Sequence, residues 1–255
     1  MNNDVAILHA EDLKPRGTPD AHAPGLDLLL RAGEIAVLTG VDEQEKSRWL
    51  QTLAALRAPA TGRLALLGQA TTSHALQSGG IRSHIGYVGL DAPLLSTLNI
   101  RANVALPRVY RIDEDFDQSL DVADRQLDRI GFSGNRRAFP VALDPYEQMQ
   151  ALLARALALE PRILFLHEPF ALPYLTCWRV FGDTLASIVR EDRIALVTAT
   201  QNLVFAKAHA DYLVYVDNGT VQCLPGWHAF SSSRNDKVID FLHALPFGVG
   251  ETAHE

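Results

Sequence analysis

Lysine and cysteine are scarce in this sequence of 255 residues. Lysine occurs only four times, and the net charge is −7. An acidic chain gives no electrostatic reason to bind nucleic acid, so we expect no nucleic-acid partner. The two cysteines, Cys177 and Cys223, stand apart and form no metal-ligand pattern. We therefore expect no metal site built on cysteine, and two reduced thiols in a cytosolic protein.

Long apolar runs are also absent. No window holds about 18 consecutive apolar residues, so the sequence predicts no membrane-spanning helix. The N-terminal residues MNNDVAILHAEDL contain neither a basic start nor a long apolar core, so we expect no signal peptide. Hydrophobic residues make up 47% of the chain and charged residues 21%, which is typical of a soluble globular protein. We expect such a chain to reach a membrane only through a partner.

Apolar strands alternate with helical segments along most of the chain. Apolar or alternating runs predict strands at residues 5–13, 25–30, 35–39, 58–68, 84–90, 162–168 and 194–200. Helical periodicity predicts helices at residues 47–56, 147–159, 178–189, 203–210 and 236–245, and a helical, acidic middle from about 98 to 137. A connector is predicted from Lys14 to Pro24, and YLVYVDNGTVQCL predicts a hairpin with its turn at residues 218–219. This alternation favours an α/β fold with helices on both faces of a parallel sheet.

The strand EIAVLTG runs into a loop that has P-loop spacing and the wrong residues in its middle. Gly40, Lys46 and Ser47 fit the pattern G-x-x-x-x-G-K-[ST], except that Glu45 stands at the last glycine. A P-loop works because small residues let backbone N–H groups surround phosphate oxygens, while lysine and a helix N-terminus add positive charge. Residues 42–45 read DEQE and bring three carboxylates to that place. The sequence thus predicts a nucleotide site that has lost its nucleotide chemistry.

The order of these segments resembles the ATP-binding subunit of ABC transporters over essentially the whole chain. The most specific stretch, ARALALEPRILFLHEPF at residues 154–170, resembles the helix after that family's signature motif and its Walker B strand. The resemblance implies an ABC-type P-loop nucleotide-binding-domain fold, with a parallel core sheet, an antiparallel β subdomain and a helical subdomain. It implies one domain over residues 1–255, with the helical subdomain at about 90–160 and a C-terminal tail at about 231–255.

The resemblance also assigns roles to individual positions. Gly40, Lys46 and Ser47 correspond to a vestigial P-loop, and Glu168 corresponds to the family's general base, which we expect to be inactive. The remaining family positions carry other residues: Glu43 and Glu45 at the two inner glycines, Arg16-Gly17 at the adenine-stacking aromatic, Leu90 at the catalytic glutamine, Leu143–Glu147 at the LSGGQ signature, His167 at the Walker B aspartate, and Ala199 at the switch histidine.

These departures from the family's residues all predict the loss of ATP hydrolysis. Magnesium prefers hard oxygen ligands, and the neutral imidazole of His167 replaces a carboxylate poorly. In the signature segment, Asp144 and Glu147 offer negative charge and Pro145 has no N–H to donate. Ala199 cannot contact a phosphate as a histidine does. Phosphoryl transfer depends on such electrostatic stabilisation, so we expect no ATPase activity.

The same residues also have purely structural interpretations. Lys46 fits a helix N-terminal residue that pairs with Glu43 or Glu45. Glu168 fits a solvated carboxylate at a strand end, and a lone histidine such as His167 is more often structural than a metal ligand.

The leading hypothesis is a pseudo-ATPase that serves as a structural or regulatory component of a membrane transporter. It implies a multi-span membrane permease as partner, a peripheral position at the inner face of the cytoplasmic membrane, and a homodimer or a heterodimer with another ABC ATPase-like chain. No cofactor is expected. One alternative is a genuine ATP-hydrolysing subunit with divergent motifs, which requires ATP and Mg²⁺; another is a soluble binding module without a transporter.

Two segments suggest a more specific likeness and a docking surface. Residues 99–110 and 237–248 resemble parts of the ATPase of Mla-type phospholipid transporters, which implies phospholipid as cargo. Residues 90–106 keep apolar side chains where the family receives a helix of the permease. We expect whichever of the leucines at 94, 95 and 98 is exposed to be an anchor. The acidic run at residues 113–128 is typical of a solvated helix face.

Overall fold

The computed structural model describes residues 6–18, 23–71, 81–89, 91–170 and 175–244, and among these the side chains of 175–177, including that of Cys177, are not described. One sheet has four antiparallel strands in the order β2-β1-β4-β5. Its strands are β1 (Ala6–Pro15), β2 (Leu26–Arg31), β4 (Pro59–Leu66) and β5 (Gln69–Ala70).

The second sheet has six strands in the order β10-β9-β3-β8-β7-β6. Its strands are β3 (Ile35–Thr39), β6 (Ile85–Val88), β7 (Ile163–His167), β8 (Ala195–Ala199), β9 (Tyr212–Asp217) and β10 (Thr220–Pro225). All neighbours pair in parallel except β9 and β10, which form an antiparallel hairpin. Every residue of β3, β7 and β8 is buried, as expected for parallel strands covered on both faces.

Helices connect the strands of the parallel sheet. They are α1 (Glu43–Leu53), α2 (Ile100–Ile112), α3 (Phe116–Arg129), α4 (Pro145–Leu157), α5 (Leu175–Glu191), α6 (Leu203–His209), α7 (Gly226–Ser231) and α8 (Asp236–Ala244), with short 3-10 helices at Arg82–His84 and Pro140–Ala142. The predicted α/β class with a parallel core sheet is therefore confirmed. None of the helices within the described ranges has the length and apolarity that crossing a bilayer requires.

Two apolar cores lie on opposite faces of the parallel sheet. Successive residues of a strand point to opposite faces, so Val37 joins the core of α4 and α5, whereas Leu38 joins the other. The second core contains the apolar side of α1, with Trp49 and Leu53, and the inner face of the antiparallel sheet. Helix α1 therefore lies between the two sheets, directly after β3.

Three of the predicted elements differ from the structure in ways that local geometry explains. Helix α1 begins at Glu43 instead of Ser47, because Asp42 caps it: the Gln44 N–H donates to Asp42 Oδ1 at 2.8 Å. Strand β1 continues to Pro15, past the predicted start of the connector, because its last residues still pair with β4. The helical middle is two helices, broken at Asp113, which has a left-handed φ of 51°.

The acidic run at residues 113–128 is more than a solvated face. Arg101 Nη2 lies 2.6 Å from Asp124 Oδ2, and Arg136 Nη1 lies 3.2 Å from Asp124 Oδ1. Arg136 also pairs with Asp128. These contacts connect α3 to α2 and to the segment after α3, so part of the run holds the helices together.

Glu45 connects α1 to the β9–β10 hairpin. Its side chain is 3% exposed, and its two carboxylate oxygens accept hydrogen bonds from the backbone N–H groups of Asn218 at 2.7 Å and Gly219 at 3.0 Å. The prediction that the Glu45 carboxylate lies where a phosphate would bind was therefore wrong. A carboxylate here satisfies the amides of the turn, whose N–H groups form an anion-binding concavity.

Replacing Glu45 by alanine should destabilise the fold by about 2–4 kcal/mol, because the part-buried amide of Asn218 and the buried amide of Gly219 lose a charged acceptor. Urea denaturation followed by circular dichroism measures this change. The exposed neighbour Gln44 is the matched control, and Gln44→Ala should change stability by less than about 0.5 kcal/mol. Equal losses in both variants would show that the helix turn, and not the contact with the hairpin, matters.

Candidate functional site

The site begins at Gly40, where β3 ends. A Cβ atom at this position would lie 2.0 Å from the carbonyl oxygen of Val216 on β9, and the φ angle of Gly40 is +157°. No side chain fits such a close approach between two backbones. Sheet packing therefore requires Gly40 whether or not a phosphate binds beside it.

Carboxylates of the chain itself surround the N-terminus of α1. Asp42 caps the helix, and its carbonyl oxygen accepts the Lys46 N–H at 3.1 Å. Glu43 lies in the first turn, where negative charge interacts favourably with the helix dipole. A helix N-terminus of this kind can bind an anion, and here acidic side chains of the first turn supply the anionic groups.

Lys46 is the centre of the site. Its side chain is fully buried, and Nζ lies 2.5 Å from Glu168 Oε1 and 2.7 Å from Glu43 Oε2. The structural interpretation is thus confirmed, with Glu43 as the partner, while Glu45 turns toward the hairpin. The pair with Glu168 spans 122 positions of sequence, and it connects α1 to the residue that follows β7.

Glu168 is not a solvated strand-end carboxylate, so that interpretation was wrong. Its side chain is 17% exposed, its N–H donates to the carbonyl of Ala199 at 2.8 Å, and its Oε2 accepts from Thr200 Oγ1 at 3.1 Å. Burial raises the pKa of Glu168 above its ordinary value, against the opposing effect of Lys46, and Glu43 raises it further. Its backbone has a left-handed φ of 44°, which is strained for a residue with a side chain.

His167, the last residue of β7, contacts the carboxylate of Glu43. It is buried, and its Nε2 lies 2.9 Å from Glu43 Oε1 without forming a hydrogen bond. Within the described residues, no three histidine, cysteine, aspartate or glutamate side chains are grouped as metal ligands. An imidazole, an ammonium and two carboxylates already bound to that ammonium do not fit Mg²⁺, which prefers an octahedral oxygen shell.

The segment at the signature position caps its own helix. Asp144 Oδ1 accepts the Glu147 N–H at 2.8 Å, and the Glu147 carboxylate accepts the Asp144 N–H at 3.0 Å. Pro145, the first residue of α4, has no N–H. This is a capping box, which the order D-P-x-E could have revealed in the sequence. The N–H groups of the N-cap residue Asp144 and of Glu147 in the first turn are thus satisfied within the chain.

The remaining family positions contribute little polar chemistry. The carbonyl of Gly17 accepts from Arg48 Nη1 at 3.0 Å, so the segment at the adenine-stacking position is attached to α1. Ala199 is buried in β8, and Ser47 is half-buried in α1. Leu90, at the position of the catalytic glutamine, lies outside the described residues.

The loop before α2 presents one of the three leucines. Leu95 is 44% exposed, whereas Leu94 packs against the core and Leu98 is half-buried. The Asn103 side chain accepts the Leu95 N–H at 2.7 Å and donates to the carbonyls of Leu95 and Leu98 at 3.0 and 2.9 Å. The Arg155 guanidinium of α4 donates to the carbonyls of residues 92 and 93. The loop is therefore fixed on both sides of Leu95.

Comparison with known proteins gives a consistent relationship. Residues 24–171 match the family described as ABC transporter. The chain is 30% identical over 200 residues to the uncharacterized ABC transporter ATP-binding protein YbbA of Escherichia coli K12, covering 78% of this chain and 87% of YbbA. It is 24% identical over 214 residues to the glutamate/aspartate import ATP-binding protein GltL of the same organism, covering 84% of this chain and 88% of GltL.

Solved structures share the fold. CbiO1 from Clostridium perfringens, part of the ABC transporter complex cbiONQ, superposes with a TM-score of 0.76 over 94% of this chain and 95% of CbiO1, at 21% identity. The dimeric post-hydrolysis structure of the ATP-binding cassette MJ0796 with ADP and Pi gives a TM-score of 0.74 over 86% of this chain and 98% of that one, at 20% identity. With a match over more than half of its length, the chain belongs to the ABC transporter family, as an ATP-binding cassette subunit.

Proposed function

We propose that this chain is a catalytically degenerate cassette, a pseudo-ATPase that serves as a structural or regulatory subunit of a membrane transporter. The observation that carries the proposal is the fully buried Lys46 between Glu43 and Glu168. In a working P-loop the lysine is available to phosphate oxygens. Here two carboxylates of the same chain take that position.

Admitting a nucleotide would require these ion pairs to break. Separating Lys46 from Glu168, the more buried of the two pairs, costs about 3–5 kcal/mol, because the carboxylate is left without compensation. Glu43 is 46% exposed and lies beside Lys46. Its carboxylate would repel an approaching polyphosphate even after it had separated from Lys46. Two effects therefore disfavour ATP binding: Lys46 is already paired with carboxylates of the chain, and those carboxylates repel the phosphates.

The second half of a composite site is changed as well. In this family two cassettes dimerise head-to-tail, and the signature segment of one chain faces the P-loop of the other. In this chain the Asp144–Glu147 segment presents a helix start already capped by its own carboxylates. A homodimer would thus lack both halves of each site, and an intact heterodimer partner would supply only one half. No ATP or Mg²⁺ is required by this function.

A multi-span permease is the partner that this function requires, and it places the chain at the inner face of the cytoplasmic membrane. Two candidate cargoes have support. The Mla-type likeness of residues 99–110 and 237–248 favours phospholipid, although residues 245–248 lie outside the described structure. GltL is named as a glutamate/aspartate import protein, which favours an amino acid. Purification from native membranes, with identification of the accompanying permease, distinguishes the two.

The genuine-ATPase alternative is supported by family membership and by the retained Gly40, Lys46 and Ser47. It requires Lys46 to exchange its two carboxylates for phosphate. We expect no heat of binding for ATP or Mg·ATP at millimolar concentration in isothermal titration calorimetry, because of the charge described above. Lys46→Met is the matched control and should give the same flat titration.

Micromolar binding by the wild-type chain, abolished in Lys46→Met, would contradict the proposal and establish a working P-loop. A flat titration in both, together with a permease that accompanies the chain, would also exclude the alternative of a soluble module without a transporter.

Leu95 is the residue through which we expect the subunit to bind its permease. Asn103 and Arg155 fix its loop, so an exposed apolar side chain is presented without an ordering cost at binding. Leu95→Asp should weaken membrane association by about 2 kcal/mol or more, as expected for a buried anchor of an interface. Co-sedimentation with native membranes measures this, and circular dichroism verifies the fold.

Leu56, exposed just after α1, provides a control of equal chemistry. Leu56→Asp should leave membrane association unchanged. A folded Leu95→Asp variant that sediments with membranes as well as the wild type would show that this loop is not the docking surface.

A further inference from the structure

Two large apolar side chains are exposed on the loop before α4. Phe139 is 51% exposed and Val141 is 91% exposed, while Pro140 between them is buried. An exposed apolar residue on its own is ordinary, but two that flank one buried residue concentrate apolar area at one place. The loop therefore presents an apolar surface to solvent.

The chain fixes this loop in position. Gln148 Nε2 of α4 donates to the carbonyls of Pro140 and Leu143 at 3.2 and 3.1 Å. The Ile100 N–H at the start of α2 donates to the carbonyl of Ala138 at 3.0 Å. Because the loop is held on both sides of Phe139 and Val141, these side chains are presented with little ordering cost when a partner binds.

A positive charge adjoins the two apolar residues. Arg137 is exposed, and within the described residues its guanidinium forms no ion pair. Its neighbour Arg136, by contrast, pairs with Asp124 and Asp128. The charge of Arg137 is therefore available to a partner. We call three residues the loop surface: Arg137, Phe139 and Val141.

The segment between β3 and α1 carries the complementary chemistry. Val41 is 64% exposed, and the next two side chains, Asp42 and Glu43, are 48% and 46% exposed. Arg48 Nη2 lies 4.0 Å from the Asp42 carboxylate, which is too far for a hydrogen bond. Glu43 shares the ammonium of Lys46 with a second carboxylate. Negative charge therefore remains beside an exposed valine. We call three residues the helix-start surface: Val41, Asp42 and Glu43.

We propose that the loop surface of one chain binds the helix-start surface of a second copy, and that the chain thus forms a homodimer without nucleotide. Phe139 and Val141 of one copy pack against Val41 of the other, and Arg137 faces the two carboxylates. A two-fold axis repeats this contact, so one dimer buries both surfaces of each chain. The inference rests on the proposed function in one respect, namely that no nucleotide lies between the two chains.

A second copy is favoured over another partner because both halves of the contact lie on this chain. An apolar pair beside a cation matches a valine beside two carboxylates, in sign of charge as well as in apolar character. Two copies with a net charge of −7 each repel one another at long range, so their association depends on such a local match. Leu95 lies on a different loop, before α2, and belongs to neither surface.

Sedimentation equilibrium of the wild type at micromolar concentration, without nucleotide, should give the mass of a dimer. Val141→Asp and Arg137→Glu each place a carboxylate opposite the acidic helix-start surface. Each should therefore raise the dissociation constant of the dimer by about tenfold or more. Tyr110→Asp is the control, since Tyr110 is 80% exposed on α2 and belongs to neither surface.

Circular dichroism verifies the fold of each variant, and the wild-type mass is informative without any variant. A monomeric wild type would overturn the inference. A dimer that Val141→Asp and Arg137→Glu weaken no more than Tyr110→Asp does would overturn it as well.

A mixing experiment tests the pairing of the two surfaces. Val41→Lys should also weaken the homodimer, because it places an ammonium opposite Arg137 of the second copy. An equimolar mixture of Val41→Lys and Val141→Asp should nevertheless dimerise more strongly than either variant alone. One contact of the mixed dimer is unchanged, and the other pairs the introduced ammonium with the introduced carboxylate. A mixture that associates no more strongly than the separate variants would contradict the head-to-tail contact.

Failure of this inference is distinguishable from failure of the proposed function. Wild-type ATP binding in calorimetry would contradict the function, whatever the mass of the chain in solution. A flat titration with ATP, combined with a monomeric wild type, would leave the function standing and remove the homodimer. A dimer that forms only when ATP is added would contradict both.

Discussion

A lysine side chain that is fully buried must find anionic partners, and the site depends on how Lys46 finds them. An unpaired ammonium in the protein interior costs several kcal/mol, so the chain cannot fold around Lys46 without neutralising it. Glu43 supplies one carboxylate from the same helix turn, and Glu168 supplies another from the end of β7. This arrangement connects α1 to the central sheet and occupies the lysine at the same time.

Other backbone N–H groups that could bind an anion also donate to carboxylates of the chain. Glu45 accepts from the turn between β9 and β10, and Asp42 caps α1. Asp144 caps α4, where the family has its signature segment. Each of these positions presents backbone N–H groups that could bind a phosphate, and each is instead bonded to a carboxylate of the chain. The same kind of hydrogen bond, from a backbone N–H to a carboxylate of the chain, therefore recurs across several segments.

The sheet could be predicted from the sequence, because its signal is local. Strands β3, β7 and β8 are runs of five buried residues, and such apolar runs between helices are typical of a parallel sheet. The directions of the site carboxylates could not be predicted. They depend on where α1 begins. Because α1 starts at Glu43 and not at Ser47, residues 43–46 are helical, and their successive side chains project about 100° apart around the helix axis. The contact of Lys46 with Glu168 spans 122 positions, and no local pattern indicates it.

Retained motif residues are weak evidence of activity in this fold, since each has a structural reason to persist. Gly40 is required because a Cβ atom would collide with the carbonyl of Val216, a constraint set by β9 and independent of any ligand. Lys46 is required because two carboxylates lie against it, and its removal would leave them together without a cation. Glu168 in turn is required by Lys46. Lys46 and Glu168 are thus mutually dependent, and Gly40 is fixed separately by β9, so the presence of these three residues does not by itself report on nucleotide binding.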